Sequence, residues 1–401
     1  MVLSQRAQKL KTSPTLFLVA KAKELQAQGH DVISLTVGEP DWPTYPVAAK
    51  AGIEAIKNGF TKYTAAQGTI ELRRAIIQRT KEDLSQDYSL SEVTVTTGAK
   101  YAIFAALQVL CDPKDEVIIH SPYWVSYPAM VELADAVPKI ITCHEKDHFK
   151  LTASDLEKNI NSNTKALLFC SPANPTGFVY TNLELQKLAE VLLKYPRIHI
   201  ITDDMYHRLM FDGSKRAPHI LDVAPALKDR TIIINGASKA YAMTGWRIGW
   251  ALGPKQKIQA LGDYASQSTG APCSISQAAA LPVILDAENE IINTNQNLKK
   301  RLIAAHEEFK TLPEFKIFEP QGAFYFWVDI TRVIGKFYNG KKIESSQDFG
   351  KILLEKFFVA TVPGEEFGNP GYLRLSFAIE TKRMIEAIRR MKALVKELTD
   401  S

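Results

Sequence analysis

An alternation along the middle of the chain limits its fold more than any other feature. Short runs rich in β-branched and other apolar residues recur at 93–97, 116–120, 165–170, 198–202, 231–235 and 248–252. Longer stretches with helical spacing, such as 100–110 and 183–194, lie between several of them. Strands that alternate with helices predict a mostly parallel central sheet flanked by helices on both faces, an α/β architecture. The last third reads differently. An amphipathic stretch over 285–311 leads into short runs at 315–318, 323–329, 359–362 and 372–377, and a closing helix is expected over 381–398. The expected division is a large unit over 46–285, a smaller α+β unit over 286–401, and an N-terminal segment, 1–45, that packs with the small unit.

Composition bounds the partners. With 401 residues, 46% of them hydrophobic, the chain can bury a large core. Its 49 Lys and Arg against 44 Asp and Glu leave a net charge of +5, without the basic stripe or tail that nucleic acid requires. No apolar run approaches the roughly eighteen residues needed to span a membrane. The run Leu-Phe-Leu-Val-Ala at 16–20 follows Arg6, Lys9 and Lys11, but Lys21 and Lys23 come soon after it. It is too short for a secretory signal and reads as a first helix. Cys111, Cys143, Cys170 and Cys273 form no CxxC, and Cys143 and Cys170 end apolar runs, as buried thiols do. A reducing cytoplasm is the expected compartment.

The ends of the middle runs carry the functional weight. Thr97 is followed by Gly98, Ala99 and Lys100; His120 by Ser-Pro-Tyr-Trp at 121–124; Cys170 by Ser-Pro-Ala-Asn-Pro-Thr-Gly at 171–177. Thr202 is followed by Asp-Asp-Met-Tyr at 203–206, and Asn235 by Gly-Ala-Ser-Lys at 236–239. Any one cluster is ordinary loop chemistry. Open parallel sheets bind ligands just beyond the carboxyl ends of their strands, so several such clusters together describe a small-molecule site.

Two signals are weighed and set aside. His144, Glu145 and His148 match HExxH, a zinc motif only on a helix. Here the residues follow a strand-like run and precede a helix expected to start near Ser154, which makes them a polar loop. No GxGxxG or GxxxxGK[ST] phosphate cradle occurs. The strongest segment is 238–249, Ser-Lys-Ala-Tyr-Ala-Met-Thr-Gly-Trp-Arg-Ile-Gly. Lys239 directly follows a buried strand and sits among small and apolar residues. A lysine desolvated there has a lowered pKa and becomes a nucleophile for Schiff-base formation. Arg247, eight residues on, suits a phosphate dianion.

This segment resembles the cofactor-lysine signature of the fold-type-I pyridoxal-phosphate aminotransferases of class I/II, above all the bacterial-type aspartate aminotransferases. The likeness runs from about Ser13 to the last helix. Its motifs stand in order: Val-Gly-Glu-Pro-Asp at 37–41, Tyr63, Gly98 to Lys100, Ser-Pro-Tyr-Trp at 121–124, Asn-Pro-Thr-Gly at 174–177, Asp203 with Tyr206, Lys239 with Arg247, and Arg-Leu-Ser-Phe at 374–377. The resemblance implies pyridoxal 5'-phosphate on Lys239, whose freed amine then moves the substrate α-proton. Asp203 would pair with the protonated ring nitrogen; such a pair at about 3 Å is worth about 5 kcal/mol at an effective dielectric near 20, before desolvation. Tyr206 and Asn174 would bond the ring oxygen, and Trp124 would cover the ring. Gly98, Ala99, Lys100 and Arg247 would hold the phosphate, with Tyr63 reaching it from a second subunit of a homodimer. Arg374, Gly38 and Asn174 would take the substrate α-carboxylate. Ser13, Thr15 and Lys100 would take the distal carboxylate of aspartate.

Two positions depart from the common pattern, Gly236 in place of a serine and Asp204 in place of a glutamate. The resemblance also implies prolines after cis bonds at Ser121–Pro122 and Asn174–Pro175. The expected reaction is aspartate:2-oxoglutarate amino transfer by a ping-pong mechanism. Aromatic, prephenate or alanine transamination, or a C–S lyase or cyclopropane-forming synthase of the same fold, use the same lysine and stay open. A sensor or scaffold on this fold finds no support beside an intact lysine.

Overall fold

A computed structural model describes residues 3, 4, 7, 8 and 14–401. In it the apolar runs become strands. After β1 (Ile33–Ser34), the central strands are β2 (Val93–Thr96), β3 (Glu116–Ser121), β4 (Val137–Thr142), β5 (Thr164–Cys170), β6 (His199–Asp203), β7 (Thr231–Gly236) and β8 (Gly249–Leu252). They form one seven-stranded sheet in the order β2-β8-β7-β6-β5-β3-β4. The strands from β3 to β7 run parallel. Strand β8 runs antiparallel to both β7 and β2. Residues 237–248 hold no helix, and a chain that returns without a crossover helix pairs antiparallel.

The inner strands are buried almost end to end, as a sheet covered on both faces requires. At the margin β4 is largely open, and its Pro138 and Lys139 are residues that suit an unpaired edge. Helices such as Ala99–Leu110 and Asn182–Lys194 connect and cover the strands.

The C-terminal part builds β9 (Lys316–Phe318), β10 (Tyr325–Asp329), the small hairpin β11 (Phe337–Tyr338) and β12 (Lys341–Lys342), β13 (Val359–Ala360), β14 (Val362–Pro363) and β15 (Tyr372–Ser376). Strands β14-β15-β10-β9 form an antiparallel sheet. Strand β1 pairs in parallel with β13, and the helix Pro14–Ala27 touches β13 and β14. The N-terminal segment is thereby tied to the chain's far end.

The structure corrects some boundaries. The amphipathic stretch 285–311 is the helix Glu288–Phe309, set off at Ala287 from the preceding helix Ser274–Asp286. The helix expected near Ser154 is Ala153–Asn159. It is capped by Thr152, whose hydroxyl accepts from the Asp155 amide at 3.1 Å. Around HExxH, Glu145–Asp147 is a single 3-10 turn and His148 has φ 52°, so the two imidazoles do not share an α-helical face. Among the described residues no helix is long and apolar enough to cross a membrane.

Candidate active site

The carboxyl ends of β3, β5, β6 and β7 open on one side of the sheet. There they meet β10, β15 and the residues after β1 around a cleft of about 350 Å3. Nearly every residue singled out above converges on it: Gly38, Ala99, Lys100, Trp124, Asn174, Asp203, Tyr206, Lys239, Arg247 and Arg374 all line its wall. The bonds Ser121–Pro122 and Asn174–Pro175 are cis, as expected, and so is Ser171–Pro172.

Lys239 follows the buried strand β7, and its amine donates to the Gly38 carbonyl. Burial pushes its ammonium down to about 8; the Glu39 charge opposes the fall, and the Arg374 and Arg247 charges add to it. A lysine in the unfolded chain holds its proton up to about pH 10.4. Between roughly pH 8 and 10 the folded, cofactor-free chain thus binds fewer protons than the unfolded one, and its stability rises with pH. Cofactor-free Lys239→Met should lack that rise. Denaturant midpoints of the two proteins across this window check it, and parallel curves would contradict a depressed lysine.

Asp203 ends β6 and is buried. Its Oδ2 accepts from the Tyr127 hydroxyl at 2.6 Å and its Oδ1 from the Met205 amide at 3.3 Å. Burial raises its carboxyl to about 6, against the pull of those two donors and of Lys239. Asp204 is buried beside it, 3.5 Å from His219 Nε2, and faces away from the cleft lining. Tyr206 shares a 2.7 Å hydrogen bond with Tyr325. Tyr325 also explains Gly38: a Cβ there would stand 2.2 Å from the Tyr325 hydroxyl oxygen.

Arg374 comes from β15 and is only 3% exposed. Its Nη1 donates to Asn174 Oδ1 at 3.1 Å, and its Nη2 donates to the Thr36 carbonyl. Its guanidinium lies over the rings of Tyr325 and Phe367, 4.5 and 5.1 Å from their centres. Its Nε is buried with no hydrogen-bond partner among the described residues. A buried guanidinium with an unspent donor at the wall of a cleft fits an incoming carboxylate.

The helix Ala99–Leu110 starts at Gly98, which has φ 81°. A Cβ on Gly98 would come 2.6 Å from Arg247 Nη2, and one on Gly249 would come 2.2 Å from the Ala99 amide. Two glycines therefore let the helix start, β8 and Arg247 close together. First-turn amides and a guanidinium side by side make a cradle suited to a phosphate. Lys100 lies with its Nζ 5.0 Å from the centre of the Trp124 ring, and burial followed by the nearby Arg247 charge lowers its ammonium's pKa.

Among the expected residues that are described, Gly98, which stands against Arg247, and Tyr63 do not line the cleft itself. Tyr63 is fully exposed, between the helices Pro46–Lys57 and Ile70–Leu84. Thr15 lies in the helix Pro14–Ala27, but its side chain is outside the described residues, as is all of Ser13. The cleft residues that no motif marked include two tyrosines. Tyr127 stands three residues after Trp124, and Tyr325 is inside the aromatic run Phe324 to Trp327.

The lysine, the buried carboxylate, the phosphate cradle and the half-spent arginine fit pyridoxal phosphate and an amino-acid substrate. The sequence model of aminotransferase class I and II matches residues 30–391. The chain is 42% identical to a probable aspartate/prephenate aminotransferase of Rickettsia bellii over 98% of each chain. Its structure superimposes on that of the Rhizobium meliloti aspartate aminotransferase with a TM-score of 0.94, at 37% identity over 100% of both chains. The Thermus thermophilus aspartate aminotransferase with maleate gives 0.91, at 35% identity over 98% of this chain and 100% of that one. The chain belongs to the class I and II aminotransferases. It is a transferase that uses pyridoxal 5'-phosphate and acts on amino acids and 2-oxo acids.

Proposed function

We propose that the chain transfers the amino group of aspartate to 2-oxoglutarate, by a ping-pong mechanism, as a cytoplasmic homodimer. The observation that carries the substrate choice is that two side-chain cations besides Arg247, namely Arg374 and Lys100, line the cleft that holds Lys239. A substrate with two carboxylates uses both. The relatives named for aspartate, one of them holding the dicarboxylate maleate, support this reading.

When bound, pyridoxal phosphate supplies an electron sink for charge developing at the substrate α-carbon. The rest falls to the chain. Lys239 holds the cofactor and then, as a free amine, moves the proton of the α-carbon. Asp203 keeps a proton on the ring nitrogen by pairing with it. Tyr206 and Asn174 bond the ring oxygen, and Trp124 covers the ring face. The amides of Ala99 and Lys100, after Gly98, hold the phosphate together with Arg247, and Tyr63 of a second copy completes that grip. Arg374, with Asn174 and Gly38, orients the α-carboxylate by two parallel bonds. Lys100, with Ser13 and Thr15, takes the distal carboxylate. Residues 46–285 act as the cofactor-binding unit and 286–401, with the N-terminal segment 1–45, as the unit that brings Arg374. That the seven-stranded sheet falls inside the first range and the four-stranded sheet inside the second supports this division.

A half-reaction screen tests the substrate choice through the cofactor's absorption. Aspartate and glutamate should convert the enzyme to its amine form fastest, with a weaker aromatic or prephenate-type response. Lys100→Ala should cut activity on aspartate at least about tenfold more than on phenylalanine or alanine, because a flexible point charge serves only the substrate that carries the second carboxylate. An equal loss on all three, or a wild-type enzyme that ignores aspartate, would overturn the assignment.

A further inference from the structure

A carboxylate buried as deeply as Asp203 needs donors to stay ionised, and this one has few. The Met205 amide is a long donor at 3.3 Å, whereas the Tyr127 hydroxyl is a short one at 2.6 Å. The titratable groups facing Asp203 are Tyr127 at the start of the helix Tyr127–Leu133, Cys170 at the end of β5, Asp204 next in the chain, and Lys239 after β7. Of these only Lys239 brings positive charge. Tyr127 is 2% exposed, and burial together with the Asp203 charge pushes its phenol well above the usual range, so it donates at every working pH.

Its placement is also fixed by the chain before it. The Tyr127 amide donates to the Trp124 carbonyl at 2.9 Å, and its ring meets the Trp124 indole edge-on, 5.5 Å between centres at 89°. One side chain thus braces both Trp124 and Asp203.

We infer that Tyr127 is a positioning residue for the amino transfer: its hydroxyl holds Asp203 ionised and oriented for a protonated cofactor ring nitrogen. The inference rests on the proposed pairing of Asp203 with that nitrogen. No motif marks Tyr127, and the effect of its hydroxyl passes through the Asp203 carboxylate.

Tyr127→Phe removes the hydroxyl and keeps the ring. The holoenzyme variant should retain the absorption band of the lysine-bound cofactor, because Lys239 is untouched. In enzyme loaded with ring-15N cofactor, the nitrogen resonance should move from the protonated position toward the neutral one. Cofactor affinity and kcat should each fall about 10- to 100-fold, the range for a lost hydrogen bond to a charged group, with KM for the amino acid nearly unchanged. In an Asp203→Asn background the same substitution should cost little further, as a double-mutant cycle for a contact acting through Asp203 requires. An unchanged nitrogen resonance, or an undiminished cost in the Asp203→Asn background, overturns the inference. If Tyr127→Phe does not fold, 3-fluorotyrosine placed at position 127 alone keeps the hydroxyl and makes it a stronger donor. It should then shift the same resonance, and no shift is the overturning result. A wild-type ring nitrogen that is not protonated would instead sink the Asp203 pairing itself, which separates the two failures.

Discussion

Lys239→Ala should lose the absorption band of the bound cofactor and lower turnover by on the order of 10^4 or more, the scale for a positioned proton-transfer group, with the covalent attachment lost besides. The expectation follows from where β7 delivers the side chain. The amine is half-buried, bonded to the Gly38 carbonyl, and held near a pKa of about 8, so a useful fraction is neutral at physiological pH. No mobile water or surface lysine can reproduce that placement. The substitution leaves Asp203, Arg247 and the Gly98 helix start intact, so the cofactor should still bind without the band. Spectra and steady-state rates of the purified variant decide the matter. A variant that kept both band and turnover would transfer the role to Lys100, the other lysine on the cleft wall.

Arg374→Ala should weaken every amino-acid substrate, by about 2–5 kcal/mol in transition-state binding, because each carries an α-carboxylate. Much of that figure is structural in origin. Truncation removes the donors to Asn174 Oδ1 and to the Thr36 carbonyl, and it empties the space over the Tyr325 and Phe367 rings. Arg374→Lys should recover only part of the loss, since an ammonium cannot make two parallel bonds. Values of kcat/KM for aspartate, phenylalanine and alanine provide the check. A loss confined to aspartate would mean that Arg374 reads the side chain and that Lys100 or another group holds the α-carboxylate.

Much of this site was readable in order along the chain. Strands β5, β6 and β7 fall within a residue of the apolar runs, and Asp203 and Lys239 owe their places to the ends of β6 and β7. Local pattern suffices there, because a buried parallel strand needs an apolar run and its carboxyl end needs polar turn residues. The loops with Trp124 and Asn174 were legible for the same reason, whereas their two cis prolines were expected from the family resemblance.

What the chain alone left unsaid depends on partners far away in sequence. The two-residue strands β1 and β13 carry almost no pattern of their own and exist because Ile33 meets Val359. Tyr127 finds Asp203 across 76 residues, and Tyr325 finds Tyr206 across 119. An aromatic residue in an apolar run looks the same whether it fills a core or bonds a carboxylate, since only its neighbours differ. Residue types and strand order determined the chemistry; tertiary contact decided which phenols and glycines tune it, since pKa, donor geometry and close approach are properties of neighbours rather than of sequence.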